Sequence, residues 1–280
     1  MKINAMSLHD RVNNLAEDLE VPHNIIYDRY FYDAFLLRLV KSKYKNSFVL
    51  KGGLYLSSLL GVETRNTIDI DFYLNHHNME KQNLINIVNE IISIDIDDNV
   101  SFEYKGIENI RGDDEYGGFR IKVLGTLENV KDTFWIDVAT GDPIVPSPKE
   151  YEYCCLVTND ILKLKAYSVE SIVAEKVETV LSKAIANSRS KDYYDLFILR
   201  LTQKDKINYV HLKEAYTKTC SYRSFSLDKE SALELVNEIR NNEIIKKRWI
   251  VFTNNSNYCH GLDFEKVMNA INDWVIDAYE

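Results

Sequence analysis

The chain has 280 residues, 45% apolar and 28% charged, with a formal net charge of −9. These proportions fit a globular protein of one large domain or two modest ones, and 10 Gly with 4 Pro exclude collagen-like or linker character. The negative balance excludes a long-range pull on nucleic acid by the whole molecule, so any RNA contact needs a local basic patch.

The N-terminus, MKINAMSLHDRVNNLAEDL, lacks the apolar core of a signal peptide. No run approaches the roughly eighteen apolar residues of a membrane span. Cys154, Cys155, Cys220 and Cys259 show no CxxC or Cys/His metal spacing. A cytoplasmic protein with reduced thiols and no membrane contact is the expectation. Residues 7–45 read as helical, with Leu15, Leu19, Phe31, Phe35, Leu36 and Leu39 at helical spacing and Pro22 dividing the stretch.

Short Val-, Ile- and aromatic-rich runs follow and read as strands: Phe48–Leu50, Ile68–Leu74, Val100–Ile107, Gly118–Leu124 and Phe134–Ala139. A helix over Met79–Ile92 separates the second from the third. The prolines of GDPIVPSPKEY (Pro143, Pro146, Pro148) mark the clearest boundary. Residues 160–280 read as mostly helices, over 170–187, 191–202, 208–219, 228–247 and 262–278. The expected division is 1–150, a helical lead-in plus an α/β core, and 151–280, a helical C-terminal domain. Four basic clusters lie along the chain: Lys41, Lys43 and Lys45; Lys163 and Lys165; Lys183, Arg189 and Lys191; Lys246, Lys247 and Arg248. Each by itself reads equally as a solvated face.

In FVLKGGLYLSSLLG a strand ends at Lys51, and Gly52 and Gly53 open a helix. Strand, Gly-Gly, helix lets backbone approach phosphates without side chains in the way, although a tight turn uses the same residues. RNTIDIDFYL follows, where strand alternation puts Asp69 and Asp71 on one face and Ile68, Ile70 and Phe72 on the other. Paired carboxylates repel each other and Asp is a poor strand former, whereas a divalent cation removes the difficulty. TFWIDVATGDPIVP adds Asp137 inside an apolar strand, sharing a face with Trp135 and Ala139; Asp142 reads as a turn residue.

Beyond the prolines, Ser168 is a candidate N-cap. The helix after it carries Ile172, Val173, Val177, Val180 and Ala184 on one stripe, with Lys176 inside that stripe. Lys176 either snorkels along its neighbours or presents a cation to a triphosphate. In RSKDYYD, Asp192 and Asp195 share a helix face, and Asp192 can cap its helix or pair with Lys176.

Taken in order, these blocks resemble the AbiEii-type nucleotidyltransferase toxins of the DNA polymerase β-like superfamily. The resemblance runs from Lys51 to Leu199 through KGG, RNTIDIDF, YGGFRIKVLGTL, DVATGDPIVP, AYSVESIVAEK and SRSKDYYDL. It implies an α+β fold with a mixed sheet, a short N-terminal helical lead-in and a helical C-terminal domain. It also implies a toxin of a type IV toxin–antitoxin system, of the kind recognised in phage defence by abortive infection. The cognate antitoxin would be a separate DNA-binding protein that need not form a stable complex. Some relatives transfer nucleotides to the tRNA acceptor end and others are described as GTP-binding.

By resemblance, Gly52, Gly53, Thr67 and Lys176 bind the nucleotide, and Asp69, Asp71 and Asp137 hold Mg²⁺ or Mn²⁺. Lys176 and Asp192 join the three aspartates as catalytic residues. The pair is Gly-Gly here, where the wider superfamily usually has Gly-Ser. The expected reaction moves a nucleoside monophosphate from an NTP to an acceptor, with RNA such as a tRNA 3′ end favoured by the relatives. An aminoglycoside-like small-molecule acceptor and a non-catalytic GTP-binding toxin are the alternatives. With the carboxylates before Pro143 and Lys176 after it, a two-sided cleft is expected.

Overall fold

The computed structural model describes residues 3–75, 80–110 and 118–280. Two compact units emerge, the first spanning Met1–Gly141 and Lys149–Ala166, the second Asp142–Pro148 and Tyr167–Glu280.

The first unit begins with α1 (Ala5–Asp18), whose N-cap Asn4 accepts from the Ser7 N–H at 2.8 Å. Pro22 then sits at the N-cap of α2 (His23–Lys41), where its missing N–H costs nothing. β1 (Phe48–Lys51), α3 (Gly52–Leu60), β2 (Asp69–Leu74), α4 (Lys81–Ile92), β3 (Val100–Asn109), β4 (Phe119–Leu127) and β5 (Val130–Ala139) follow. β6 (Lys149–Cys154) and β7 (Ile161–Ala166) complete one sheet in the order β3-β4-β5-β2-β1-β7-β6. It is mixed: β2/β5 and β1/β7 pair parallel, the other neighbours antiparallel.

Two faces of the sheet differ in chemistry. Ile70, Phe72, Phe134, Ile136 and Val138 are fully or almost fully buried. Phe35 of α2 reaches Phe72 and Phe134 with ring centroids 6.4 Å apart in each pair, and Phe48 meets Phe72 edge-on at 5.2 Å. On the opposite face Asp69 and Asp71 of β2 and Trp135 of β5 are half-exposed, while Asp137 of β5 is buried.

The second unit holds α5 (Val169–Lys183), α6 (Ser190–Gln203), α7 (Tyr209–Tyr222), α8 (Lys229–Asn241), α9 (Glu243–Asn254) and α10 (Phe264–Tyr279). α10 contacts α5, α6, α7 and α8, and buries Val267, Met268, Ile271, Trp274 and Val275. The Trp274 indole satisfies its N–H on the Leu196 carbonyl at 2.8 Å. Ser168 caps α5 by accepting from the Ser171 N–H at 3.1 Å, and both hydroxyls donate to the Val145 carbonyl, at 2.7 and 3.0 Å. Among the described residues no helix is long and apolar enough to cross a membrane.

The fold is thus α+β, with ten α-helices and a seven-stranded mixed sheet among the described residues. Several local expectations need correction. Residues 149–166 lie with the sheet, whereas helices were expected beyond 160. Their alternation explains it: Leu162, Leu164 and Ala166 are buried while Ile161 and Lys163 are exposed. The single helix over 228–247 is two, because Asn242 ends α8 and its side chain accepts from the N–H groups of Ile244 and Ile245 to start α9. Ile68 precedes β2 and is 66% exposed, so it does not join Ile70 and Phe72. Met79, the expected start of α4, and Tyr116 and Gly117 of the YGGFRIKVLGTL block lie outside the described residues.

Candidate active site

Three strands align the charged side chains. In the parallel β2/β5 pair Asp71 stands opposite Asp137, and Asp69 opposite Trp135. The antiparallel β4/β5 pair puts Arg120 opposite Asp137, and β1/β2 puts Lys51 opposite Asp71. One row across four strands therefore reads Lys51, Asp71, Asp137, Arg120. Adjacent positions two residues away on a strand share its face, which brings Asp69 beside this row.

Asp69, Asp71 and Asp137 can offer carboxylate oxygens that all lie within 4.8 Å of one another. Arg120 closes on them from β4. Its Nε donates to Asp137 Oδ1 at 2.7 Å, and its Nη2 donates to Asp137 Oδ2 at 2.6 Å and to Asp69 Oδ2 at 3.4 Å. Its guanidinium lies 5.7 Å from the Trp135 ring centroid, with Lys122 Nζ 5.3 Å from the same ring. Burial pushes the Asp71 carboxyl up to about 6, and the charge of Asp69 adds to the rise against the Gly53 N–H. Asp137 is also raised by burial, opposed by Arg120. Arg120 in turn is held charged by its hydrogen bonds to Asp137. Arg120, together with Lys51 opposite Asp71, thus answers three carboxylates, and a divalent cation fits the remaining negative charge.

The glycines stand against these carboxylates. Gly52 has φ of 60°, the left-handed region, and any Cβ there would collide with the Asp71 carboxylate. The Gly53 N–H donates to Asp71 Oδ2 at 2.9 Å, so this amide orients the carboxylate. A Cβ on Gly53 would run into the Thr67 hydroxyl, which itself donates to Asp69 Oδ1 at 2.8 Å. Thr67 is buried and engaged in holding Asp69. Both features need glycine at the turn, for space and for backbone shape.

In the second unit Lys176 Nζ lies 2.7 Å from Asp192 Oδ1 and 2.9 Å from Asp195 Oδ2. Burial alone would pull the ammonium down, but Asp192 and Asp195 outweigh it and hold the lysine charged, above its ordinary value. Lys176 therefore does not snorkel to solvent; it pairs across α5 and α6. Asp192 keeps one buried oxygen, Oδ2, without a partner.

Arg223, at the end of α7, was missed by the sequence reading. Its guanidinium binds Asp142 at 3.0 Å and Glu178 at 2.5 Å, with Glu175 at 3.8 Å. Asp142 is thus an ion-pair partner as well as a turn residue. Arg120 lies in the FRIKVLGTL run, where a lone Arg in a strand carries no spacing signal. Only the register of β4 against β5 reveals its partner.

A family model described as nucleotidyl transferase AbiEii toxin, Type IV TA system, matches residues 34–270. No curated protein matches the chain. Among solved structures, a protein from H. pylori assigned as a nucleotidyltransferase is similar with a TM-score of 0.53 at 14% identity, covering 92% of this chain and 96% of that one. JHP933 from Helicobacter pylori gives 0.52 at 14% identity, covering 90% and 91%. An antigenic nucleotidyltransferase-like protein from Paracoccidioides brasiliensis gives 0.40 at 15% identity, covering 74% and 93%. The first two likenesses agree with the observed α+β fold, and the family match spans both the carboxylate site and the Lys176 cluster. The chain belongs to the AbiEii nucleotidyltransferase toxins of type IV toxin–antitoxin systems.

Proposed function

We propose that this toxin transfers a nucleoside monophosphate from an NTP to an RNA hydroxyl, with pyrophosphate leaving, and that it requires Mg²⁺ or Mn²⁺. The observation that carries this reading is the meeting of Asp69, Asp71 and Asp137 over the Gly52–Gly53 turn. These three carboxylates would hold the divalent ion, which supplies charge stabilisation at the phosphate oxygens.

The chain's own groups then have distinct tasks. Gly52 and Gly53 let backbone approach the triphosphate. Thr67 fixes the orientation of Asp69 through its 2.8 Å hydrogen bond. Asp137, made more basic by burial, accepts the proton of the attacking hydroxyl once Arg120 releases one of its oxygens. Lys176, steadied by Asp192, supplies positive charge for the triphosphate. An antitoxin encoded separately would oppose the activity without a stable complex.

The test is incubation with total RNA and each labelled NTP in turn, with and without EDTA. Label joined to RNA from a particular NTP, and lost with EDTA, is the expected result. Label found only on small molecules, or no transfer with any NTP, overturns the reading.

A further inference from the structure

Two basic clusters that lie more than fifty residues apart in the chain become one surface in the helical unit. Arg248 of α9 donates to the Ile185 carbonyl at 3.0 Å and to the Asn187 carbonyl at 3.0 Å. α9 is thereby tied to the connection between α5 and α6, which carries Arg189 and leads into Lys191. Arg189, Lys191 and Lys247 are exposed. The same face is unusually apolar for solvent: Ile185 is 40% exposed, Ile244 54% and Val251 61%. Ile244, Arg248 and Val251 follow one another at four- and three-residue spacing, so they line one side of α9.

We propose that this face is where the RNA acceptor docks its backbone. It rests on the RNA reading above. In a chain with net charge −9, a grouped set of cations beside exposed aliphatic side chains is complementary to a polyanion that also presents ribose and base surface. The α5–α6 connection leads directly into the first turn of α6, which holds Asp192. Its N-cap, Arg189, makes no side-chain cap hydrogen bond, so the first N–H groups of α6 are not capped by a side chain and add partial positive charge there. An acidic protein would be attracted by the same cations and is the competing occupant.

The experiment measures binding of the full chain to unmodified tRNA by fluorescence anisotropy over a salt series, without NTP. The Arg189→Glu, Lys247→Glu double variant is compared with Lys206→Glu, an exposed reversal in the turn that follows the other end of α6. The double variant should bind at least about tenfold more weakly at 0.1 M salt, with a log–log salt slope smaller by more than one. Lys206→Glu should stay within about twofold of wild type, and all three proteins should melt alike. Equal RNA binding by double variant and wild type overturns the docking face while leaving the RNA reading intact. A wild type that binds no RNA, yet labels a small molecule, overturns both. Loss of RNA binding together with a lowered melting temperature is resolved with Arg189→Gln, Lys247→Gln, which must still weaken binding or the proposal fails.

Discussion

One charged cluster in each unit, built from similar residues, ends with a different exposure. In the sheet, Arg120 faces Asp69, Asp71 and Asp137 and is itself 34% exposed. In the helical unit, Lys176 is 16% exposed and lies between Asp192 and Asp195, the latter 1% exposed. The first cluster sets three carboxylates against Arg120 and Lys51 on a half-open strand face. The second sets two carboxylates against Lys176 and is nearly closed. The contrast teaches what each can exchange: the open cluster has room to take up a further cation, while the closed one already holds its cation between the two helices.

Substitutions in the sheet cluster should cut activity with the fold intact. Asp71→Asn is expected to lower nucleotide transfer by on the order of a thousandfold, the scale of losing one group that stabilises transition-state charge. Its metal-free melting temperature should not fall, because repulsion with Asp69 is relieved. Retained activity would sink the shared role of the carboxylates.

Lys176→Met is expected to act on the other side of the contrast. It leaves Asp192 and Asp195 buried without their cation, which costs about 3–5 kcal/mol. Calorimetry should show the melting temperature reduced by about 10 °C, alongside weaker NTP use. Unchanged melting would mean that the cluster is not the closed one described.

Arg120→Gln sharpens the comparison, since Arg120 occupies both oxygens of Asp137. Without it the apo protein should melt a few degrees lower, and the upward shift produced by Mg²⁺ should grow. An identical Mg²⁺ shift in wild type and variant would show that guanidinium and metal ion do not compete.

The smallest effect belongs to a carboxylate outside both clusters. Asp33 of α2 accepts from the Tyr153 hydroxyl at 2.5 Å and from the Leu156 N–H at 2.7 Å. Burial pushes its carboxyl up to about 6, despite Arg29 nearby. A folded-state value above the unfolded one means that its contribution to stability is present at low pH and is lost as pH rises through about 6. Relative to wild type, Asp33→Asn should therefore be more favourable at pH 7.5 than at pH 5, by less than about 3 kcal/mol. A difference in melting temperature that is constant across this range would remove Asp33 from the account.

The strand pattern made much of this legible. Alternation in IDIDF placed Asp69 and Asp71 on one side of β2, and the isolated Asp137 in an apolar run pointed to the same face. The glycine pair and the shared helix face of Asp192 and Asp195 were likewise readable from local spacing, whereas the Lys176–Asp192 pairing was only one of two alternatives. Partners set by long-range register were not. Arg120 reaches Asp137 only because β4 runs antiparallel to β5, and Arg223 reaches Asp142 across 81 positions. β6 and β7 were lost for a different reason. Their charged alternate residues, Glu150, Glu152, Lys163 and Lys165, dilute the apolar signal of short strands near the edge of the sheet.

The close approach of Gly53 to Thr67 bears on how this turn could have been inherited and altered. A serine at 53 brings a Cβ into the Thr67 side chain. The two positions are therefore coupled: a side chain at 53 needs Thr67 to give way, and Thr67 can give way only by disturbing the hydroxyl that orients Asp69.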